Sequence, residues 1–295
     1  MDLTLQRGSP LVATDAAEAY LDELLGDVPS TRTAWLTSPM YRLTGEDGYV
    51  QPMAYLADYP DVPSHATLLT GQWPTTATDD GGRVQVSVPK VAAEKYGWTV
   101  GTVLPVMSFT TYEDSAVVVV GIHELDGPAS GWTRDLLLGA EHDPRYPVPG
   151  SFGFLATDAW GPFVVAPGTL TDPGSVGIAT LIASPQLVDS PPGAIAALRG
   201  RLDTAQAALV GATDDVTTSG VLTSRLATTI DVAQANLAVT RVSLVIVGLM
   251  LVVLAVTVLL LAARLLADRR APEQTLMSSR GASGRQLLGL SLIHI

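Results

Sequence analysis

The pattern of hydrophobic and polar positions changes character once along the chain. Up to about position 241 apolar residues come in short groups, whereas Val242 to Ala263 contains twenty-two residues without a charge. As a helix, which rises about 1.5 Å per residue, this segment crosses the roughly 30 Å hydrocarbon layer of a bilayer. The helix of a soluble protein needs a polar stripe, and this segment has none. We therefore predict one transmembrane helix at 242–263.

The part before this helix mixes helical and extended patterns, which predicts an α+β domain over residues 1–220. Ala16 to Leu25 places its apolar residues on one helical face and is followed by Gly26, a typical helix stop. Thr33 to Leu43 and Tyr49 to Leu56 are extended runs joined through glycines, which indicates a hairpin. A short helix is predicted at 90–97, and further strands at 84–89, 100–106, 116–125, 152–156, 163–166 and 178–183.

The remaining segments complete the predicted domain organisation. Residues 126–150 are rich in Gly, Pro and Asp and read as a long excursion or small subdomain. Gly193 to Val210 has helical periodicity. Leu222 to Thr240 also has a helical pattern and continues into the apolar segment without Gly or Pro. Residues 221–241 are therefore predicted to form a rigid helical stalk. Residues 264–295 are left as a juxtamembrane tail.

The charge distribution predicts an orientation in the membrane. The tail after the span carries a net charge of +3, while residues 1–241 carry −15 of the chain's total of −12. Short segments rich in arginine stay on the cytoplasmic side. We expect the tail in the cytoplasm and residues 1–241 outside it, in the cell membrane of a protein that is multi-pass at full length.

That orientation requires a means of export that the sequence does not contain. Met1 to Pro10 has no basic start and no apolar core of a signal peptide. We therefore expect the chain to be a fragment whose first span is missing. Ser291 to Ile295 are expected not to be native sequence.

Composition excludes several classes of function. There are no cysteines, which excludes disulfides and thiolate metal sites. The sequence pI near 4.6 argues against a nucleic-acid partner, which needs a basic face. The sequence contains neither of the two glycine-rich motifs that bind nucleotides, the P-loop and the dinucleotide-binding fingerprint. We predict no cofactor and no enzyme activity on this chain, with any ATP hydrolysis on another subunit.

Candidate chemical groups are scattered. His65, His123 and His142 lack the second ligand or partner that a metal or catalytic site needs, so each is interpreted as a surface or turn residue. The acidic pairs at 46–47, 79–80 and 214–215 lack the regular spacing of a calcium loop and are interpreted as solvated charges. Four tryptophans are interpreted as core contacts rather than as a ligand pocket, namely Trp73, Trp98, Trp132 and Trp160.

Three stretches resemble the FtsX-like permease family, the membrane subunits of MacB-type ABC transporters. Leu69 to Pro74 with Val84 to Gly101 looks like a block of that family's outer domain, and Val119 to Leu125 with Trp132 is similar to its next strand. The segment from Arg269 to Leu287, with its Arg-Gly-Ala-Ser turn, resembles the family's juxtamembrane segment. The likeness covers roughly 68–288. It implies a MacB-like periplasmic core, one earlier span and at least two later ones.

The resemblance also implies a role for the tail. Pro272 suits the first turn of a new helix and Glu273 suits its positive end. The predicted contacts to an ATP-binding-cassette partner are Arg269, Arg270, Glu273, Leu276, Arg280 and Arg285. Considered without the resemblance, the same basic segment is also explained as a plain positive-inside anchor.

The function favoured by these features is that of a permease subunit, a dimer in the bilayer, that passes ATP-driven motion through its stalk to the outer domain. The alternative is a membrane-anchored binding or adhesion module without energy coupling. The sequence does not identify a transported substrate, because family members share an architecture while differing in task.

Overall fold

The computed structural model describes residues 1–6, 9–45, 50–127, 131–213 and 219–279, with the side chains at 173, 267 and 270–279 excepted. The chain divides into two compact units, Met1–Thr228 and Thr229–Ile295. The first is a mixed α/β, sheet-rich domain, and the described part of the second is one long helix. This confirms the general layout, a mixed domain followed by a helix apolar enough to span a membrane.

Twelve strands and five helices are described. The helices are α1 (Pro10–Leu25), α2 (Lys90–Tyr96), α3 (Pro192–Leu202), α4 (Ala205–Thr213) and α5 (Leu226–Ser279). The strands are β1 (Asp2–Gln6), β2 (Ser30–Thr37), β3 (Tyr41–Leu43), β4 (Met53–Asp58), β5 (Ala66–Gly71), β6 (Val84–Pro89), β7 (Val103–Ser108), β8 (Asp114–Leu125), β9 (His142–Pro147), β10 (Ala156–Val164), β11 (Ile178–Pro185) and β12 (Ser219–Thr223).

Four of these strands form an antiparallel sheet in the order β12-β1-β11-β2. Along the chain, β1 leads through α1 to β2, and β11 leads through α3 and α4 to β12. Each helical connection joins two strands that run in the same direction with a third strand between them. This is the split β-α-β arrangement of ferredoxin-like folds. We call these four strands the split sheet.

The two faces of the split sheet differ because side chains alternate along a strand. Leu3 and Leu5 of β1 are fully buried, and α1 and α4 contact the sheet on their side. Thr4 points to the opposite face, where its hydroxyl lies 3.3 Å from that of Thr180 on β11. One face therefore belongs to the core, and the other is polar.

Residues 38–177 are inserted between β2 and β11. Six of their strands close into a ring, in which β4, β3, β7, β8, β6 and β10 pair in turn and β10 returns to β4. The β-branched run of β8 is the long strand of this barrel, and Val117 and Val119 are buried in it. The barrel is joined to the split sheet where β4 of the barrel pairs with β2 of the split sheet.

Several predicted elements are confirmed and others are wrong in detail. The hairpin before position 56 exists, since Tyr41 pairs with Ala54. Its first strand is broken at Ser38 to Met40, because Pro39 ends β2 and the chain passes from the split sheet to the barrel. The helix predicted at 193–210 is divided into α3 and α4 by Asp203 and Thr204.

Two further predictions are wrong, a strand at Phe152 because of backbone conformation and a helix start at Leu222 because of strand pairing. Phe152 to Leu155 is not a strand but a turn, because Gly150 and Gly153 adopt positive φ values of 79° and 82°. Leu222 is not helical, because β12 pairs with β1 and the amide of Leu222 donates to the side chain of Gln206 at 2.7 Å. The helix consequently begins at Leu226.

The long helix α5 continues further than the sequence indicates. It extends to Ser279, so Pro272 lies inside it rather than in the first turn of a new helix. The expectation fails because the residues from Arg264 to Ala271 are mostly strong helix formers and contain no glycine stop.

Candidate functional site

The residues predicted to contact an ATPase are placed only in part. Arg269 is an exposed residue of α5, and Arg270, Glu273 and Leu276 fall within the bounds of the same helix. Arg280 and Arg285 lie outside the described residues. The structure therefore puts four of the six predicted residues on one helix, and their role stays a prediction.

The apolar part of α5 is the first functional feature of the chain. Within the described residues, one helix is long and apolar enough to cross a membrane, over Leu226–Leu266. From Val242 to Leu266 its large apolar side chains are exposed, as at Leu244, Leu254 and Leu260. Large contiguous apolar surface is rarely left in water, so this helix needs a lipid environment or a partner.

A cleft of about 450 Å³ lies on the polar face of the split sheet. Thr4, Thr180 and Thr223 contribute hydroxyl groups from three neighbouring strands, and the 133–136 segment of the insert lines the cleft as well. Arg134 of that segment forms an ion pair with Asp2 of β1, with 3.0 Å between Nη2 and Oδ1. The arrangement offers hydrogen-bond donors and acceptors of both charges.

Asp135 lines this cleft, although it is only 2% exposed. The Tyr55 hydroxyl donates to Oδ1 at 2.5 Å. The amides of Leu137 and Gly139 donate to Oδ2 at 3.0 and 3.1 Å. Burial nevertheless raises the pKa of Asp135 above its ordinary value. The carboxylate thus holds the turn after Trp132 in place.

Aromatic rings surround this carboxylate. Trp35 stacks on Tyr59 with 4.2 Å between ring centroids, and Trp132 lies 5.7 Å from Trp35. Trp132 is 1% exposed and donates from Nε1 to the carbonyl of His65. Burial raises the pKa of both Tyr55 and Tyr59 well above the usual value. We call this group, with Asp135, the aromatic–Asp135 cluster.

The sequence did not point to Asp135, because its main partner Tyr55 is 80 positions away. The interpretation of the tryptophans as core residues is confirmed for Trp98, Trp132 and Trp160, which are all at least nine-tenths buried. Trp73 is half-buried and packs against the same core.

His123 is not a surface residue, as the sequence suggested, but is fully buried in β8. Its Nδ1 lies 2.9 Å from the hydroxyl of Ser87 on β6. Burial lowers the pKa of His123 to about 3, so the ring is neutral at ordinary pH. Sequence reasoning had paired no nucleophile with a base. The structure provides such a pair, yet Ser87 and His123 are both 0% exposed and no substrate can reach them.

His142 and His65, which were also interpreted as surface or turn residues, differ from that expectation to different degrees. His142 lies in strand β9 rather than in a loop; it stacks on Trp160 at 3.9 Å, and its Nε2 is 2.6 Å from Asp158 Oδ1. His65 ends a short 3-10 turn, half-exposed, with its Nε2 3.9 Å from Asp61.

Of the acidic pairs, 79–80 lies within the described residues; Asp80 is exposed, as interpreted, whereas Asp79 is partly buried and forms an ion pair with Arg83. Asp79 accepts hydrogen bonds from the Gly81 and Arg83 amides and from the Arg83 side chain, which closes a surface turn. The pairs at 46–47 and 214–215 lie outside the described residues. Across the described ranges, no three His, Asp or Glu side chains come together as a metal site would require.

Comparisons with known proteins give a distant structural likeness. No family model and no curated protein matches the chain. Among solved structures, the chain is similar to a domain of a protein described as a permease from Porphyromonas gingivalis, at 13% identity and a TM-score of 0.31. The likeness covers 76% of this chain and 89% of that one.

Proposed function

We propose that the chain is the outer domain, stalk and one span of a permease subunit that works with a separate ATP-binding-cassette ATPase. The observation that carries the proposal is α5, which continues without a break from Leu226 to Ser279. A helix of that length holds the bilayer-spanning stretch and the basic residues after it in one element. The resemblance of 269–287 to FtsX-like permeases supports the same interpretation.

The proposed mechanism is mechanical. ATP binding on the partner moves the basic end of α5, and the helix passes that displacement along its axis. A helix resists bending except at specific residues, which in α5 are Gly248, the one glycine of the apolar stretch, and Pro272, which follows Arg269 and Arg270. The permease acts as a dimer, and the first unit lies outside the cytoplasm.

The orientation is tested with introduced cysteines, because the chain has none of its own. Val188, 97% exposed, is replaced by cysteine in the first unit, and exposed Asp268 is replaced in α5. Intact cells are treated with a membrane-impermeant maleimide. We expect labelling at position 188 in intact cells and at 268 only after permeabilisation; the reverse pattern contradicts the proposal.

The coupling is tested in the full-length subunit together with its ATPase. The variant Arg269→Ala, Glu273→Ala should lose most of the ATPase stimulation that the complex shows in membranes. Arg241→Ala, at an exposed arginine elsewhere on α5, is the matched control and should keep it. Equal ATPase rates in both variants would contradict coupling through this segment.

The alternative, an anchored binding module without coupling, is favoured by one observation, the polar cleft beside Asp135. It needs the span and the cleft but no ATPase. Purification of the full-length protein from its native membrane distinguishes the two, because a stable ATP-binding-cassette subunit accompanies it only under the permease proposal.

A further inference from the structure

The turn between β9 and β10 exposes aromatic side chains to an unusual degree. We call Val148 to Leu155 the 148–155 tip. Phe152 is 94% exposed and Phe154 is 88% exposed, and Leu155 beside them is 44% exposed. Val148 at the base of the tip is buried in the same hydrophobic core as Trp132. The tip is therefore anchored at its base, while its two phenylalanines project away from the protein.

The backbone of the tip is folded upon itself. The Val148 amide donates to the Leu155 carbonyl at 2.9 Å, and the Ser151 amide and hydroxyl both donate to the Val148 carbonyl. The Phe154 amide donates to the Ser151 carbonyl at 3.1 Å. These bonds satisfy polar groups inside the tip. Such groups do not have to be stripped of water when the tip enters an apolar phase, which is the main obstacle for irregular backbone.

The tip also lacks charge. None of its eight residues is ionisable, although the first unit as a whole carries a large negative charge. Arg145 and Asp158 are the nearest charged residues along the chain, one on each flanking strand. Because a charge is costly in hydrocarbon, an uncharged tip with two exposed phenylalanines is suited to shallow insertion into lipid.

The size of the tip argues against a second copy of the chain as its occupant. Two phenylalanines and a leucine bury only a few hundred Å² on each side, since one aromatic side chain buries about 150–250 Å². A stable protein interface needs about 800 Å² from each partner. A lipid surface sets no such minimum and requires no complementary shape.

We propose that the 148–155 tip inserts Phe152 and Phe154 into the surface of a lipid bilayer. This rests on the membrane anchoring in the proposed function, which tethers the first unit to a bilayer, and not on coupling to an ATPase. Insertion is driven by apolar burial rather than by headgroup charge, because the acidic first unit is repelled by anionic lipids.

The test uses the full chain reconstituted into phosphatidylcholine vesicles. Phe152→Cys carries an environment-sensitive fluorophore, and Val188→Cys, at an equally exposed apolar residue outside the tip, carries the same fluorophore as a control. We expect blue-shifted emission and quenching by nitroxide-labelled lipid at position 152. The control should be quenched by aqueous iodide instead.

A second change measures the contribution of the neighbouring ring. Phe154→Ser in the Phe152→Cys background should lower the ratio of inserted to free probe about ten-fold, the factor expected when one buried phenylalanine is lost. Added phosphatidylglycerol should not increase insertion. Because residue 154 is 88% exposed, this variant keeps the fold.

Each other outcome overturns the proposal. Equal iodide quenching at 152 and 188 means that the tip stays in water or waits for a protein partner. A blue shift that depends on protein concentration, without lipid quenching, means that the tip packs against a second copy. Failure of the chain to enter vesicles at all contradicts the membrane anchoring itself and is distinguished by flotation.

Discussion

The segments 132–139 and 148–155 lie close together in the chain and have opposite surroundings. Both contain glycine and several large apolar residues, and both contain non-glycine residues with positive φ, Leu138 and Phe152. The first places Trp132 and Asp135 in the core with their polar groups satisfied. The second leaves two phenylalanines in solvent. Composition alone therefore does not decide whether such a segment stabilises a fold or presents a surface.

The difference comes from long-range partners. Asp135 meets two tyrosines of the insert, Tyr55 and Tyr59, and Trp132 meets Trp35 from the split sheet. The 148–155 tip is held by hydrogen bonds between its own residues. We expect substitutions in the first segment to change stability and substitutions in the tip to change binding.

The largest effect is expected for Trp132→Ala. Loss of a fully buried tryptophan leaves a cavity in the core and should lower the free energy of unfolding by about 3–5 kcal/mol. All five tryptophans lie in the first unit, so fluorescence during urea unfolding of the full chain in micelles reports on that unit. A loss below about 1 kcal/mol would show that the cluster is not a packed core.

Asp135→Asn should lower the free energy of unfolding by about 1–3 kcal/mol. The NH2 group of the new amide would face the same N–H and O–H donors from which the carboxylate accepts hydrogen bonds.

The effect of Asp135→Asn should depend on pH, and the sign of that dependence follows from the pKa of Asp135. Burial raises the pKa of Asp135 in the folded state, so the protonated side chain favours folding. Its contribution to the free energy of unfolding is fully present below the ordinary aspartate pKa and is lost as pH rises through the raised value. The advantage of wild type over Asp135→Asn, measured by urea unfolding across that range, should therefore shrink as pH rises. An advantage that grows would contradict the raised pKa.

Tyr55→Phe should lower the free energy of unfolding by a smaller amount, about 1–2 kcal/mol. It removes one donor to a buried carboxylate whose two backbone donors remain. In double-variant cycles with Asp135→Asn the two losses should not add, because they share one hydrogen bond. Additive losses would place the effect of Tyr55 outside this bond.

The smallest effect on stability is expected for Phe152→Ser with Phe154→Ser. Both rings are almost fully exposed, so the free energy of unfolding in detergent should change by less than about 0.5 kcal/mol. A loss of several times that size would mean that the tip is part of the core. The comparison on which these predictions depend would then be wrong.

The local pattern of apolar residues was sufficient to predict the helices and strands that bury one face. The helix face of Ala17, Tyr20 and Leu24 is buried as predicted, and so are Val86 and Val88 of β6. The apolar helix was predicted from its length and its lack of charged residues. In these cases the period of the apolar residues matches the geometry of the element.

The remaining features depend on contacts that no local pattern encodes. The turn at Phe152 looked like a strand because its apolar residues resemble a buried run, whereas glycine conformations turn the chain outward. Ser87 and His123 are 36 positions apart and meet because β6 and β8 run parallel. Of the candidate site, the basic residues of the tail could be proposed from sequence, but the cleft and Asp135 required the fold.

The amide of Gly177 donates to the carbonyl of Thr37 at 2.8 Å, so the insert leaves the split sheet and returns to it at neighbouring points. The whole barrel thus occupies the position of a single hairpin loop. Loops of this kind tolerate changes in length at little cost in closure entropy. Evolution can accordingly enlarge, shorten or exchange the barrel, and with it the surfaces that meet other molecules, while the four-stranded scaffold stays the same.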